Sequence, residues 1–94
     1  MPDTTAVSHD PVRGRFEIRT DAGTALLAYA RRGGALEMLH TEVPDASEGQ
    51  GYGAALAEAA LDFARREGVK VIASCPFVAA YVQRHPEYAD LVER

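Results

Sequence analysis

The sequence has few of the residues that mark disulfide-bonded, metal-binding or membrane-spanning proteins. It contains one cysteine, so it cannot form an internal disulfide, and no cysteine–histidine spacing suits zinc. We therefore expect no metal. No apolar run approaches the roughly 18 residues that a membrane-spanning helix needs, and residues 1–10 lack the basic-then-apolar order of a signal peptide. These absences favour a cytoplasmic protein without a membrane partner.

Positive charge is also in short supply. Ten Lys or Arg residues stand against fourteen Asp or Glu residues, which gives a formal net charge of −4. No Lys/Arg cluster is long enough to track a phosphate backbone, so the sequence argues against nucleic acid as a partner. The composition, 47% hydrophobic and 26% charged, is ordinary for a globular domain. A chain of 94 residues predicts a single domain over residues 1–94.

The pattern of apolar residues predicts an α/β (α+β) fold with the order βββαβα. Residues 1–10 are polar and should be loosely ordered, with room for a short strand near Val7. Three strands joined by short glycine turns favour an antiparallel meander. A strand that follows a crossover helix should lie parallel to the strand before that helix. The predicted strands cover residues 15–19, 24–30, 35–43 and 69–73; the predicted helices, packed on the sheet, cover about 52–67 and 77–84, with a last turn within 87–92.

Three glycines in five positions directly precede an alanine-rich helix. Glycine permits positive φ and leaves room for another molecule against bare backbone. The first N–H groups of a helix have no intrahelical partners and lie at the positive end of its dipole, where phosphate is the usual guest. The sequence therefore predicts that main-chain N–H groups bind a phosphate here. The candidate binding residues of this loop are Glu48, Gly49, Gln50, Gly51, Tyr52, Gly53 and Ala54.

Spacing separates the known kinds of phosphate loop. A P-loop ends in Gly-Lys-Ser/Thr, but Ala54 follows Gly53 and this loop has no lysine. The dinucleotide pattern G-x-G-x-x-G/A fits in part, but the next strand ends without the carboxylate that binds the ribose. The remaining pattern is Q/R-x-x-G-x-G/A. Gly51 and Gly53 fit this pattern, and Glu48 departs from its Q/R position.

Four motifs together resemble the small, single-domain branch of the GNAT superfamily of N-acetyltransferases. They read HTEVP at residues 40–44, GxG within 49–53, CPFV at 75–78 and HPEY at 85–88, and the resemblance covers residues 16–92. It implies a reduced GNAT fold that binds acetyl-CoA between two splayed parallel strands and transfers the acetyl group to an amine. Larger relatives carry extra helices and strands that shape the acceptor pocket. The acceptor, a small molecule or a protein amine, therefore stays open.

The resemblance also suggests roles for the third strand. Its main chain at Thr41, Glu42 and Val43 would hydrogen-bond the pantetheine arm. His40 and Glu42 alternate onto one face of the strand, so each is a candidate general base near the thioester. The alternative is a histidine satisfied by a neighbour and a glutamate at the rim of the sheet.

Two further residues are catalytic candidates. Cys75 ends the fourth strand just before Pro76, and a helix N-terminus favours the thiolate form. Our hypothesis is that Cys75 accepts the acetyl group covalently or positions it; the alternative is a small buried hydrophobe. The resemblance suggests that Tyr81 protonates the departing CoA thiolate, although Tyr81 also fits a core-facing stripe, which we favour. The rival function is a non-catalytic acyl-CoA-binding module, and Glu48 argues for it.

Overall fold

The computed structural model describes residues 4–93, which form a five-stranded sheet and two α-helices. No helix in this range is long and apolar enough to cross a membrane. The predicted elements begin and end within two residues of their observed bounds. The strands are β1 Ser8–Asp10, β2 Arg15–Thr20, β3 Gly23–Arg32, β4 Ala35–Glu42 and β5 Lys70–Ala73; the helices are α1 Tyr52–Glu67 and α2 Pro76–Arg84; 3₁₀ turns cover Thr4–Ala6, Asp45–Ser47 and Pro86–Leu91.

The strands lie in the order β1-β2-β3-β4-β5. The first four strands pair antiparallel, and β5 pairs parallel with β4, as a strand reached through a crossover helix should. The antiparallel part therefore has four strands instead of the predicted three.

The additional strand is β1, which lies within the stretch expected to be loosely ordered. His9 of β1 pairs with Phe16 of β2, and the two rings stack with their centroids 4.2 Å apart. This ring contact holds a short polar strand directly after Val7, close to where the sequence left room for one. Residues 1–3 of the same stretch lie outside the described residues.

Both helices pack on one face of the sheet. Phe16 and Leu27 point to this face and are buried, and Leu56 and Leu61 of α1 are fully buried against it. Burying one such side chain contributes about 1.5–3 kcal/mol. On the opposite face β2 carries charged residues such as Arg15, and no helix within residues 4–93 covers it. The sheet thus has a helix face and an open face.

A β-bulge in β4 marks the place where β4 and β5 separate. The register between β3 and β4 steps by one residue after Met38, which leaves Leu39 without a partner in β3. A bulge bends its strand and increases the local twist. Pairing with β5 ends at Met38 and Ala73, and the Cys75 N–H then donates to the Met38 carbonyl at 2.9 Å. Beyond this point, which we call the split, the end of β4 has no strand on its β5 side.

The C-terminal 3₁₀ turn is fastened to the far half of α1. The Tyr88 hydroxyl donates to Asp62 Oδ1 at 2.8 Å. Arg65 donates to the two carboxylate oxygens of Asp90 at 3.0 and 3.1 Å, and Lys70 donates to the Asp90 carbonyl at 2.7 Å. Side chains therefore fix the C-terminal half of α1.

Candidate functional site

The glycine loop places the N-terminus of α1 beside the split. Gly49 and Gly51 have φ values of 82° and 89°, in the left-handed region that side-chain-bearing residues rarely adopt. Gly51 is the N-cap of α1; it has no side-chain capping bond, and the first turn contains no acidic residue. The N–H groups of residues 52–54 therefore point out of the helix without intrahelical acceptors. These are the N–H groups for which the sequence predicts phosphate binding.

Gly53 does not have a positive φ. A glycine is needed at this position because a side chain would collide with a neighbouring residue. A Cβ atom at this position would lie 2.8 Å from Cζ of Phe77. The Phe77 ring thus packs directly on the backbone of the first turn of α1, and 38% of this residue is exposed. Sequence reasoning gave Phe77 no role of its own. The signal available in the sequence was a large aromatic residue directly after Pro76, in the first turn of the predicted helix.

A cleft of about 460 Å³ lies between the end of β4, the glycine loop and the first turn of α2. The structure brings together eight of the predicted cofactor-binding residues here and adds Ser47 and Phe77. The lining residues are Thr41, Val43, Ser47, Glu48, Gly49, Gly51, Tyr52, Gly53, Ala54 and Phe77.

Two predicted binding residues do not line this cleft. Gln50 is exposed and lines a neighbouring hollow on the other side of the loop, together with Asp21 and Tyr52. Glu42 points to the other side of the sheet, because Thr41 and Val43 alternate with it along β4. Only main-chain groups of Glu42 and Gln50 remain candidates for contact with a ligand in the cleft.

His40 and Glu42 share one face of β4, as predicted, and they contact each other. His40 Nε2 lies 3.0 Å from Glu42 Oε2, and their side chains are 54% and 65% exposed. His40 is opposite Ala28 in β3, whereas Thr41 is opposite the buried Leu27. The pair therefore lies on the open face, across the sheet from the cleft.

Cys75 lies directly behind the wall of the cleft. It is the N-cap of α2, as its position before Pro76 predicts, and it is only 2% exposed. Its Sγ lies 3.5 Å from Oγ1 of Thr41, whose side chain lines the cleft. The thiol is thus one side chain away from the cleft and shielded from solvent.

Tyr81 is part of the core. It is 6% exposed and stacks on His85 with a centroid distance of 4.1 Å. Burial raises the pKa of Tyr81, and the carboxylates of Glu58 and Glu87 add to this effect. Tyr81 does not line the cleft, so its geometry agrees with the core-facing interpretation.

Comparisons with known proteins match a stretch of the chain that includes all the residues lining the cleft. A family profile described as a GCN5-related N-acetyl-transferase matches residues 15–91. Protein NATD1 of Mus musculus is 39% identical over 83 residues, which cover 85% of this chain and 76% of that protein. Protein NATD1 of Homo sapiens is 39% identical with coverages of 85% and 74%, and that of Danio rerio is 34% identical over 91 residues, with coverages of 92% and 83%.

Proposed function

Since this chain belongs to the GCN5-related N-acetyltransferase family, we propose that it transfers the acetyl group of acetyl-CoA to an amine. The observation that carries the proposal is the start of α1, where the N-cap Gly51 offers no side-chain bond to the first N–H groups, beside the split of β4 and β5. When bound, acetyl-CoA supplies a thioester, which is already activated towards amines and needs no metal. The chain must bind this substrate and handle the proton of the amine.

The residues of the cleft fit the cofactor. The N–H groups of residues 52–54 would bind the pyrophosphate, since a helix start favours phosphate. The absence of a Cβ at Gly53 lets Phe77 lie against the helix and keeps the wall of the cleft close to the backbone. Beyond Met38, the main-chain groups on the β5 side of β4 face no neighbouring strand. They would pair with the amides of the pantetheine arm as a β-partner does.

The open face supplies a proton acceptor. If the His40 Nε2–H donates to the Glu42 carboxylate at the observed 3.0 Å, Nδ1 is left free to accept a proton. The carboxylate then fixes the orientation of the ring. An ammonium acceptor that approaches the split from the open face would lose its proton to Nδ1 of His40. In this scheme His40 is the general base and Glu42 is a positioning residue.

The proposal is tested by measuring binding and turnover on one preparation. Acetyl-CoA should raise the melting temperature, because a ligand at 100 times its Kd stabilises the folded form by about 2.7 kcal/mol. With a panel of small amines and lysine peptides, the protein should release free CoA faster than buffer does, as measured by chromatography. The absence of any thermal shift would contradict the proposal.

The rival from another class is an acyl-CoA-binding module without turnover. Two observations favour it. Glu48 lines the cleft, and no helix within residues 4–93 covers the open face of the sheet, from which an acceptor would approach. The same experiment separates the two functions: a thermal shift with acetyl-CoA but no accelerated CoA release with any amine indicates the binding module.

Direct transfer and a cysteine intermediate are separated by mass spectrometry. Burial of Cys75 behind Thr41 favours direct transfer in our scheme. We expect no acetyl adduct in the intact mass after incubation with acetyl-CoA, and full activity for Cys75→Ser. An adduct that disappears in Cys75→Ser, together with loss of activity, would establish the covalent route instead.

A further inference from the structure

The cleft has no basic side chain in its lining. Among its lining residues in the described part of the chain, only Glu48 is charged, and its charge is negative. The sequence around the cleft shows the same bias, because residues 33–64, which include β4, the loop and most of α1, contain no Lys or Arg. The carboxylates in this stretch are Glu37, Glu42, Asp45, Glu48, Glu58 and Asp62.

CoA brings a large negative charge to this surface. Besides its pyrophosphate it carries a 3′-phosphate, and a phosphate monoester has a charge of about −1.5 to −2 near neutral pH. Main-chain N–H groups bind only the oxygens that they touch, and the dipole of a helix acts within its first turn. They can therefore satisfy the pyrophosphate while the 3′-phosphate finds no cationic partner among the lining residues.

We infer that this cleft binds CoA without a cationic side chain and without recognising the 3′-phosphate, and that Glu48 opposes binding. The inference rests on the proposed function and deepens it. The substrate class is then any acetyl thioester that carries the pantetheine arm and pyrophosphate, so 3′-dephospho-CoA binds at least as tightly as CoA. The carboxylates around the cleft repel the phosphates of CoA over long range. Added salt screens this repulsion and therefore tightens the binding of CoA. A site built from Lys or Arg shows the opposite salt dependence.

The test is calorimetric titration of CoA and 3′-dephospho-CoA at low and high salt. Going from about 0.01 M to 0.1 M ionic strength shortens the screening length from about 30 Å to about 10 Å, so CoA binding should tighten severalfold. Removing one exposed charge near the ligand is worth about 1 kcal/mol at 4 Å, or roughly fivefold. Glu48→Gln should therefore bind CoA about fivefold more tightly, with a weaker salt dependence.

Glu67→Gln is the matched control. It makes the same change in net charge at the other end of α1, about 24 Å away along a helix of 16 residues, and it should leave both affinities unchanged.

Three results would overturn the inference. They are CoA affinity that falls with salt, CoA binding at least tenfold tighter than 3′-dephospho-CoA, or equal effects of Glu48→Gln and Glu67→Gln. If neither compound binds at any salt concentration, the proposed function itself fails and the inference fails with it. If both bind but one of the three results is found, only the inference fails.

Discussion

The two ends of α1 are built in opposite ways. At the N-terminal end Gly51 is the N-cap in a left-handed conformation, and no side chain within residues 4–93 is seen to bond to the free N–H groups. At the C-terminal end Gly68 is also left-handed, but its N–H donates to the carbonyls of Ala64 and Arg65. Arg65 then anchors the helix to Asp90. One end is left open to a ligand, and the other is closed by the protein.

This difference separates binding from stability. Free N–H groups at an exposed helix start are hydrated in the absence of ligand, so they contribute little to folding and remain available to an anion. Satisfied groups at the other end contribute to stability and offer nothing to a ligand. Changes at the N-terminal end should therefore act on CoA binding, and changes at the C-terminal end on unfolding.

The largest effect should come from Gly51→Glu. The substitution forces a side chain into the left-handed region, which costs about 1–2 kcal/mol, and puts a carboxylate at the phosphate site. We expect CoA affinity to fall at least about a hundredfold, as measured by calorimetry.

Gly68→Glu is the control for strain. Gly68 has a φ of 71° and open space where its Cβ would lie, so stability should fall by a similar amount, about 1–2 kcal/mol, while CoA affinity stays that of the parent protein. An equal loss of affinity in the two variants would mean that strain, and not the location of the site, explains the result.

A smaller effect is expected at the closed end from Tyr88→Phe. This change removes the hydroxyl that donates to Asp62 at 2.8 Å, a bond to a charged group worth about 1.5–3 kcal/mol. Burial and this bond raise the pKa of Tyr88 far above its usual value, so the donor stays protonated. Urea unfolding should show the loss, and a double-mutant cycle with Asp62→Ala should assign it to the pair. Unchanged stability of Tyr88→Phe, or weaker CoA binding by this variant, would contradict the separation of binding from stability between the two ends of α1.

The smallest effect concerns His9, which packs against the closed half of α1. Its ring lies edge-on to Phe63 of α1 at 4.5 Å, and Nε2 is 2.5 Å from the Tyr29 hydroxyl. Burial, and then the charge of Arg31, lower the pKa of His9 from 6.5.

The sign of the resulting pH dependence follows from proton binding. The folded state binds this proton less readily than the unfolded state does, so the stabilisation is complete above the unfolded pKa and is lost as the pH falls through the lowered folded value. Urea unfolding at pH values above and below 6.5 should show the decline, and His9→Gln should reduce it. An unchanged decline in His9→Gln would assign it to other groups.

The sequence predicted the parts of the molecule that depend on local pattern. The bounds of α1, residues 52–67, followed from the glycines at its start and from Gly68 at its end. The loop residues that line the cleft followed from glycine chemistry and from the family motifs. Each of these features depends on neighbours in the sequence, or on a motif that has a known fold.

The remaining features depend on contacts between distant residues. Phe77 lies over Gly53 because α2 returns beside α1, and no periodicity signals this contact. Tyr88 reaches Asp62 across 26 residues. The bulge at Leu39 turns His40 and Glu42 away from the cleft, and a strand pattern with a regular period of two cannot show that two residues of β4 face one of β3.

Backbone amide NMR with stepwise addition of CoA tests the central claim most directly, because it reports both ends of α1 in one experiment. We expect the largest shift changes in the glycine loop, at residues 49–54, with further changes at Thr41 and Phe77. The amide signals of residues 65–68 and 87–91 should not shift. Shift changes centred on residues 65–68 and 87–91, or an unperturbed glycine loop under saturating CoA, would contradict the account.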